Sequence, residues 1–207
     1  MNVSQRPNGG ERRLISVVTP CYNEEENITD AYAEIKKVRE AHPEYDWEHL
    51  FIDNASVDRT VSHLRDIAAK DQDVRVIVNI KNFGHIKSHV HGYLTARGDA
   101  VIPYFCDLQD PSELIWEFIK KWEEGFKVVY AIKEESEENP VMFALRRVFY
   151  NILSMMSEAD LIKNFTGFGL YDKAILDIVR QLHDPYPYFR GLVAEYGYDK
   201  IKIPYKQ

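Results

Sequence analysis

Apolar and polar positions along this chain of 207 residues follow two alternating rhythms. Leu14 to Thr19 is a continuous apolar, β-branched run that predicts a buried strand, and Pro20 to Glu26 is the polar loop after it. Asn27 can cap a helix reaching Ala41, with Ile28, Ala31, Ile35 and Val38 on one face. His49 to Asp53 predicts a second strand, Asn54 to Asp58 a turn with Asp58 as the next N-cap, and Val61, Leu64, Ile67 and Ala68 recur at helical spacing. Val74 to Val78, Ala100 to Phe105 and Lys127 to Ile132 read as further strands. Between them lie a helix from Ile86 to Ala96, ended by Arg97-Gly98, and one opened by Pro111 and running to Glu124.

Strand and helix thus alternate from Leu14 to Ile132. That pattern predicts an α/β fold, a Rossmann-like, mostly parallel sheet with helices on both faces. Ligands of such sheets bind at the carboxyl ends of the strands, which singles out the loops after Thr19, Asp53, Asn79 and Phe105. The second half differs. Met142 to Met156 reads as an apolar helix with two adjacent arginines, and Phe165 to Tyr171 as a glycine-rich aromatic stretch. Two helical segments follow, then a final alternating strand from Lys200 to Tyr205. With no repeat and no low-complexity linker, residues 1–13 are expected to be a flexible tail and 14–207 a single domain.

Composition narrows the functional classes. Lys and Arg total 26 against 33 Asp and Glu, a formal charge of −7, which argues against broad nucleic-acid binding. Cys21 and Cys106 flank apolar runs without metal-ligand spacing, as expected of two buried thiols in a reducing compartment. No run of about 18 apolar residues occurs, so no membrane span is expected and the chain should be cytoplasmic. The thirteen tyrosines and ten phenylalanines pack cores but also line sugar and lipid sites.

The candidate chemistry lies in the four loops. Pro20, Tyr22 and Glu24 place an imino ring, an aromatic and an acid where a planar base and a ribose could be held; a plain capped loop is the alternative. Asp53 is either a ligand for a base N–H or ribose hydroxyl, or a turn-forming Asp. Lys81 can meet a phosphate, and Gly84 allows close backbone approach before a helix N-terminus. His85 and His89 share a helix face, but no Glu stands between them and no further zinc ligand is evident. In Cys106-Asp107-Leu108-Gln109-Asp110-Pro111, alternate residues of an extended segment would point the same way, so Asp107 and Gln109 could present two oxygens to Mg²⁺ or Mn²⁺. Asp110 before Pro111 reads as a helix cap or a further ligand.

Six segments in order carry a resemblance: Thr19-Pro20-Cys21-Tyr22-Asn23-Glu24-Glu25, Ile52 to Asp58, Asn82-Phe83-Gly84-His85, Asp107-Leu108-Gln109-Asp110-Pro111, Asn164 to Leu170, and Tyr188-Phe189-Arg190-Gly191-Leu192. The chain resembles the inverting family 2 glycosyltransferases of the GT-A fold, in particular the dolichyl- and polyprenyl-phosphate sugar transferases, such as dolichol-phosphate mannose synthases. The resemblance implies that Pro20, Tyr22, Glu24 and Asp53 bind the nucleoside, that Asp107 and Gln109 bind the metal, and that Arg146 or Arg147 meets the acceptor phosphate. It places Tyr188 to Leu192 in a helix near the membrane. The implied reaction moves a sugar from a UDP- or GDP-sugar to an undecaprenyl or dolichyl phosphate, with Asp107, Arg146 and Arg147 as catalytic residues. The implied setting is cell-envelope polysaccharide synthesis at the cytoplasmic face of the membrane, with homo-oligomerisation open. Transfer to a glycan or glycolipid hydroxyl, or an inactive nucleotide-binding module, are the alternatives. Three positions depart from the family's pattern. Phe105 stands where the first Asp of Asp-x-Asp is usual, Asn54 where a second acid is usual, and Gly169 where an arginine is often found. Related transferases often carry two C-terminal membrane helices, and that region is expected to be absent or removed in this chain.

Overall fold

The structure is a computed structural model that describes residues 12–133, 167–182, 184, 188–195 and 198–205. The helix expected over Met142 to Met156, with Arg146 and Arg147, lies outside the described residues. Strands β1 (Leu14–Cys21), β2 (Asp46–Asp53), β3 (Val74–Val78), β4 (Ala100–Pro103), β5 (Val128–Lys133), β6 (Gly169–Asp172) and β7 (Lys200–Tyr205) form one sheet in the order β3-β2-β1-β4-β6-β5-β7. All run in one direction except β6, which is antiparallel to β4 and to β5.

Sequence reading missed β6 as a strand. Gly169 and the surrounding aromatics hide it, and the glycine is required by its place. A Cβ there would lie 2.3 Å from the Val129 carbonyl oxygen and 2.9 Å from Tyr130 Cα. This explains why the arginine often found in the family has no room at 169 on this backbone.

Helices α1 (Ile28–Ala41), α2 (Thr60–Ala68) and α4 (Leu114–Glu123) cover one face of the sheet, and α3 (His85–Thr95), α5 (Lys173–Leu182) and α6 (Phe189–Glu195) the other. Strand residues alternate between the two layers. Phe51 and Ile102 join Ile28, Ile35 and Phe118 on one side, whereas Val18, Leu50, Ile52 and Val101 join Val90, Tyr93 and Ile175 on the other. Burial on both faces is why β1 and β2 read as unbroken apolar runs. Gly92 lets α3 settle close to the sheet, since a Cβ there would come within 2.9 Å of Val18 Cγ1.

Helix starts depart in detail from expectation. Asn27 sits at the N-cap of α1, but its side chain donates to Glu24 at 2.8 Å instead of capping the helix. Asp58 does serve the start of α2, accepting the Thr60 amide at 3.0 Å. The first turn of α4 begins at Leu114, three residues beyond Pro111. Arg39, on the buried side of α1, holds Asp71 at 3.0 and 3.1 Å and Asp73 at 2.7 Å, which compensates its burial.

His49 is fully buried in β2. One ring nitrogen lies 3.0 Å from Thr19 Oγ1, the other has no hydrogen-bond partner, and the ring packs at 4.0 Å on Phe51. Burial, with the Arg39 charge nearby, depresses its pKa from 6.5 to about 3. The folded state therefore refuses a proton that the unfolded chain accepts below 6.5. This contribution is intact above that pH and is lost as pH falls toward 3, by at most about 1.4 kcal/mol per unit. His49→Gln should remove that slope. Urea unfolding at pH 7, 6 and 5 should show the stability gap between wild type and variant shifting against wild type as pH falls; a pH-independent gap would contradict the assignment.

Candidate active site

The cleft opens at the strand ends where the chain switches from one face of the sheet to the other, between β1 and β4. Its β1 and β2 loops are fastened together by hydrogen bonds. The Asn54 amide donates to the Cys21 carbonyl at 2.9 Å, the Asn23 amide to Ser56 Oγ at 2.8 Å, and the Val57 amide to Asn23 Oδ1 at 2.9 Å. Further along, the Glu24 amide donates to Thr60 Oγ1 at 2.8 Å and the Arg59 amide to Glu25 at 2.8 Å. Asn23 takes φ 55°, a left-handed conformation that asparagine tolerates better than most residues.

Asp53 is fully buried, and its carboxylate accepts from both the Ser56 amide, at 3.0 Å, and the Ser56 hydroxyl. Its observed work is that of the turn-forming Asp. Asn54 ties in the third loop. It accepts from the Phe83 amide at 3.0 Å and from Asn79 at 3.2 Å, and donates to Asn82 at 2.9 Å. An asparagine does here what a carboxylate could not, because the network needs a donor as well as an acceptor.

Two adjoining cavities result. The smaller, about 230 Å³, is lined by Pro20, Tyr22, Glu24 and Asn54 on one side and by Cys106 and Asp107 on the other. The larger, about 330 Å³, is walled by Tyr93, Tyr171, Tyr188 and Phe189, with Asp107, Gln109, Asp110 and Lys133 among its polar residues. The structure thus brings Pro20, Tyr22, Glu24, Asp107 and Gln109 into one cleft. Asp53 and Lys81 do not line it: Asp53 lies behind the loop, and Lys81 is exposed with its ammonium 5.2 Å from the Phe83 ring centroid. Arg146 and Arg147 lie outside the described residues.

The segment 107–110 is not extended, as sequence alternation supposed. Leu108 takes φ 54° and the Gln109 amide donates to Asp107 Oδ1 at 3.2 Å, so the chain turns. Asp107 and Gln109 still reach one cavity, through the turn and not through strand alternation. Asp110 is neither an observed helix cap nor open to solvent. It is buried and accepts from the Tyr205 hydroxyl at 2.5 Å. Burial pushes its carboxyl up, the Tyr205 hydrogen bond pulls it back, and Asp107 pushes it further up. Lys133 and Tyr205 were not anticipated as site residues. Each sits at or near the carboxyl end of its strand, a signal visible only once β5 and β7 are known to lie on the same side of the sheet as β4. Cys21 and Cys106 are both buried free thiols, and burial raises both pKa values.

Residues 16–179 match the glycosyl transferase family 2 domain. The chain belongs to that family. A glycosyltransferase of Bacillus subtilis, YkcC, is 36% identical over 191 residues, covering 92% of this chain and 59% of its own length. The bactoprenol glucosyl transferase of Shigella phage SfV is 31% identical over 184 residues, covering 88% of this chain and 60% of its own. The family 2 chain therefore spans about three-fifths of the length of these relatives. Among solved structures, a Pyrobaculum calidifontis mannosyltransferase in complex with GDP-Man and Mn²⁺ superposes with TM-score 0.64 at 20% identity, over 96% of this chain and 57% of that one. S. aureus TarS with UDP-GlcNAc gives 0.57 at 16%, over 91% and 58%. These likenesses show the fold, GT-A, with its mostly parallel sheet flanked by helices.

The Tyr205–Asp110 bond fixes the last strand to the floor of the cleft. Tyr205→Phe should cost about 1.5–3 kcal/mol near neutral pH, the range for a hydrogen bond to a charged group. Urea denaturation would measure it, and a loss below about 0.5 kcal/mol would mean that Asp110 is held otherwise.

Proposed function

We propose that this family 2 chain is the catalytic part of an inverting transferase that moves a sugar from a UDP- or GDP-sugar to a polyprenyl phosphate. The observation that carries the proposal is the paired cavity with Asp107 on the wall common to both halves. The smaller half suits a nucleoside: Tyr22 offers a ring, Pro20 a flat apolar edge, and Glu24 an acceptor for hydroxyl or N–H donors. The larger half suits the head of a lipid phosphate. Its wall is largely aromatic, and Lys133 is the lysine or arginine that lines it among the described residues. The name of the phage relative, bactoprenol glucosyl transferase, supports the same acceptor class.

Among the described residues no group of three or more His, Cys, Asp and Glu side chains is gathered as a metal cage. Asp107 and Gln109 offer a partial set of hard oxygen donors, which fits Mg²⁺ or Mn²⁺ completed by substrate phosphate oxygens and water. A bound ion would supply positive charge where the leaving diphosphate becomes more negative.

A phosphate acceptor is already largely ionised near neutral pH, so the chain needs to position a nucleophile and not to deprotonate one. An acceptor phosphate oxygen forms the new bond to the anomeric carbon as the bond from that carbon to the diphosphate oxygen breaks, and the configuration inverts. Lys133, and by resemblance Arg146, hold the acceptor by its charge.

Two substitutions separate the halves. Asp107→Ala should abolish Mn²⁺-dependent binding of UDP or GDP in calorimetric titration while the fold survives; unchanged affinity would remove Asp107 from the donor site. Arg146→Ala should lower transfer to a short prenyl phosphate by roughly ten- to a hundredfold with nucleotide affinity unchanged. Loss of nucleotide binding would move Arg146 to the donor side, and no effect on either would return it to the surface.

A further inference from the structure

Four residues, His85, His89, Phe105 and Asp107, line both cavities. If the nucleoside fills the smaller cavity and the acceptor enters the larger, the sugar in transit lies against this shared wall. Much of the wall is aromatic. The rings of Phe105 and His89 lie 5.5 Å apart with planes inclined by 42°, and His89 is flanked by His85 at 5.2 Å and Tyr93 at 6.4 Å.

The wall is also firmly held. Tyr104 and Cys106, on either side of Phe105, are 2% and 3% exposed, so the backbone there is anchored while the Phe105 side chain stays half-buried. The Tyr104 amide is bonded to the Val18 carbonyl at 2.9 Å. His89 rides on α3, seated close to the sheet at Gly92. A partly exposed aromatic ring can offer the negative quadrupole of its face to the weakly positive C–H groups of a pyranose.

We infer that Phe105, backed by His89, is the platform against which an apolar face of the transferred sugar lies. The inference rests on the nucleotide-sugar reading and adds the surface that holds the sugar to it. The aromatic ring thus has its own task at a position where related transferases usually carry a carboxylate.

The test compares calorimetric titrations of UDP and UDP-glucose, and of GDP and GDP-mannose, in Mn²⁺, on wild type and Phe105→Leu. In wild type, one neutral sugar nucleotide should bind about tenfold tighter than its bare nucleotide, the scale of one good aromatic contact. In Phe105→Leu the sugar's advantage should fall to within about twofold, with bare-nucleotide affinity shifting less than about threefold. A merely structural role would weaken both ligands equally. Should Phe105→Leu fail to fold, His89→Gln serves as the second variant and should shrink the same ratio. An unchanged ratio in a folded variant would overturn this inference alone. Absence of any nucleoside diphosphate binding to wild type would overturn the inference together with the donor-site reading beneath it.

Discussion

The parallel pairing of β1 with β4, in register from Ile15 opposite Ala100 to Val18 opposite Pro103, is the constraint on which the cleft depends. Helices α1, α2 and α4 lie on one face of the sheet and α3 on the other, and the loops after β1 and β4 border the gap at the ends of these two strands. Both faces of these strands are buried, and polar chemistry can emerge only at their ends. Tyr22 and Glu24 leave β1 on one side of the gap, and Asp107 and Gln109 follow β4 on the other.

A gap of this kind is useful only if its edges hold still. Here the stiffness comes from short polar side chains, not from regular structure. Asn23, Ser56, Asp58 and Thr60 fasten the first two loops, and Asn54 fastens the third through Asn79, Asn82 and the Phe83 amide. The Asp110–Tyr205 bond does the same from the far edge of the sheet. Preorganisation of this sort lowers the entropic cost of fixing a donor and acceptor in line. It also gives Asp53 a structural task, holding the turn through Ser56.

Much of this was legible in the residues. The strands from β1 to β5, their helices and the final strand all announce themselves by period, because burial on both faces leaves unbroken β-branched runs and one-sided packing leaves helical stripes. The loops holding Pro20, Tyr22, Glu24, Asp107 and Gln109 follow from the rule that ligands sit at strand ends. What stayed hidden depends on contacts far apart in sequence. Gly169 looks like a breaker until β5 is seen crowding it. Lys133 and Tyr205 are ordinary strand residues until the order β6-β5-β7 carries them to the cleft. Alternation misled at Leu108, whose positive φ turns a segment that a strand rule would extend. Asn27 illustrates a local competition, in which the nearby Glu24 carboxylate takes the side chain that composition assigns to the cap.

We propose that donor diphosphate and metal meet at Asp107, between a nucleoside half and an acceptor half. Paramagnetic broadening by Mn²⁺ of the amide resonances of the uniformly labelled chain, with UDP or GDP present, reads that position directly. The account predicts that broadening centres on residues 105–110 and reaches His85 and His89, and that it requires the nucleotide. Broadening centred elsewhere, or independent of nucleotide, would contradict it.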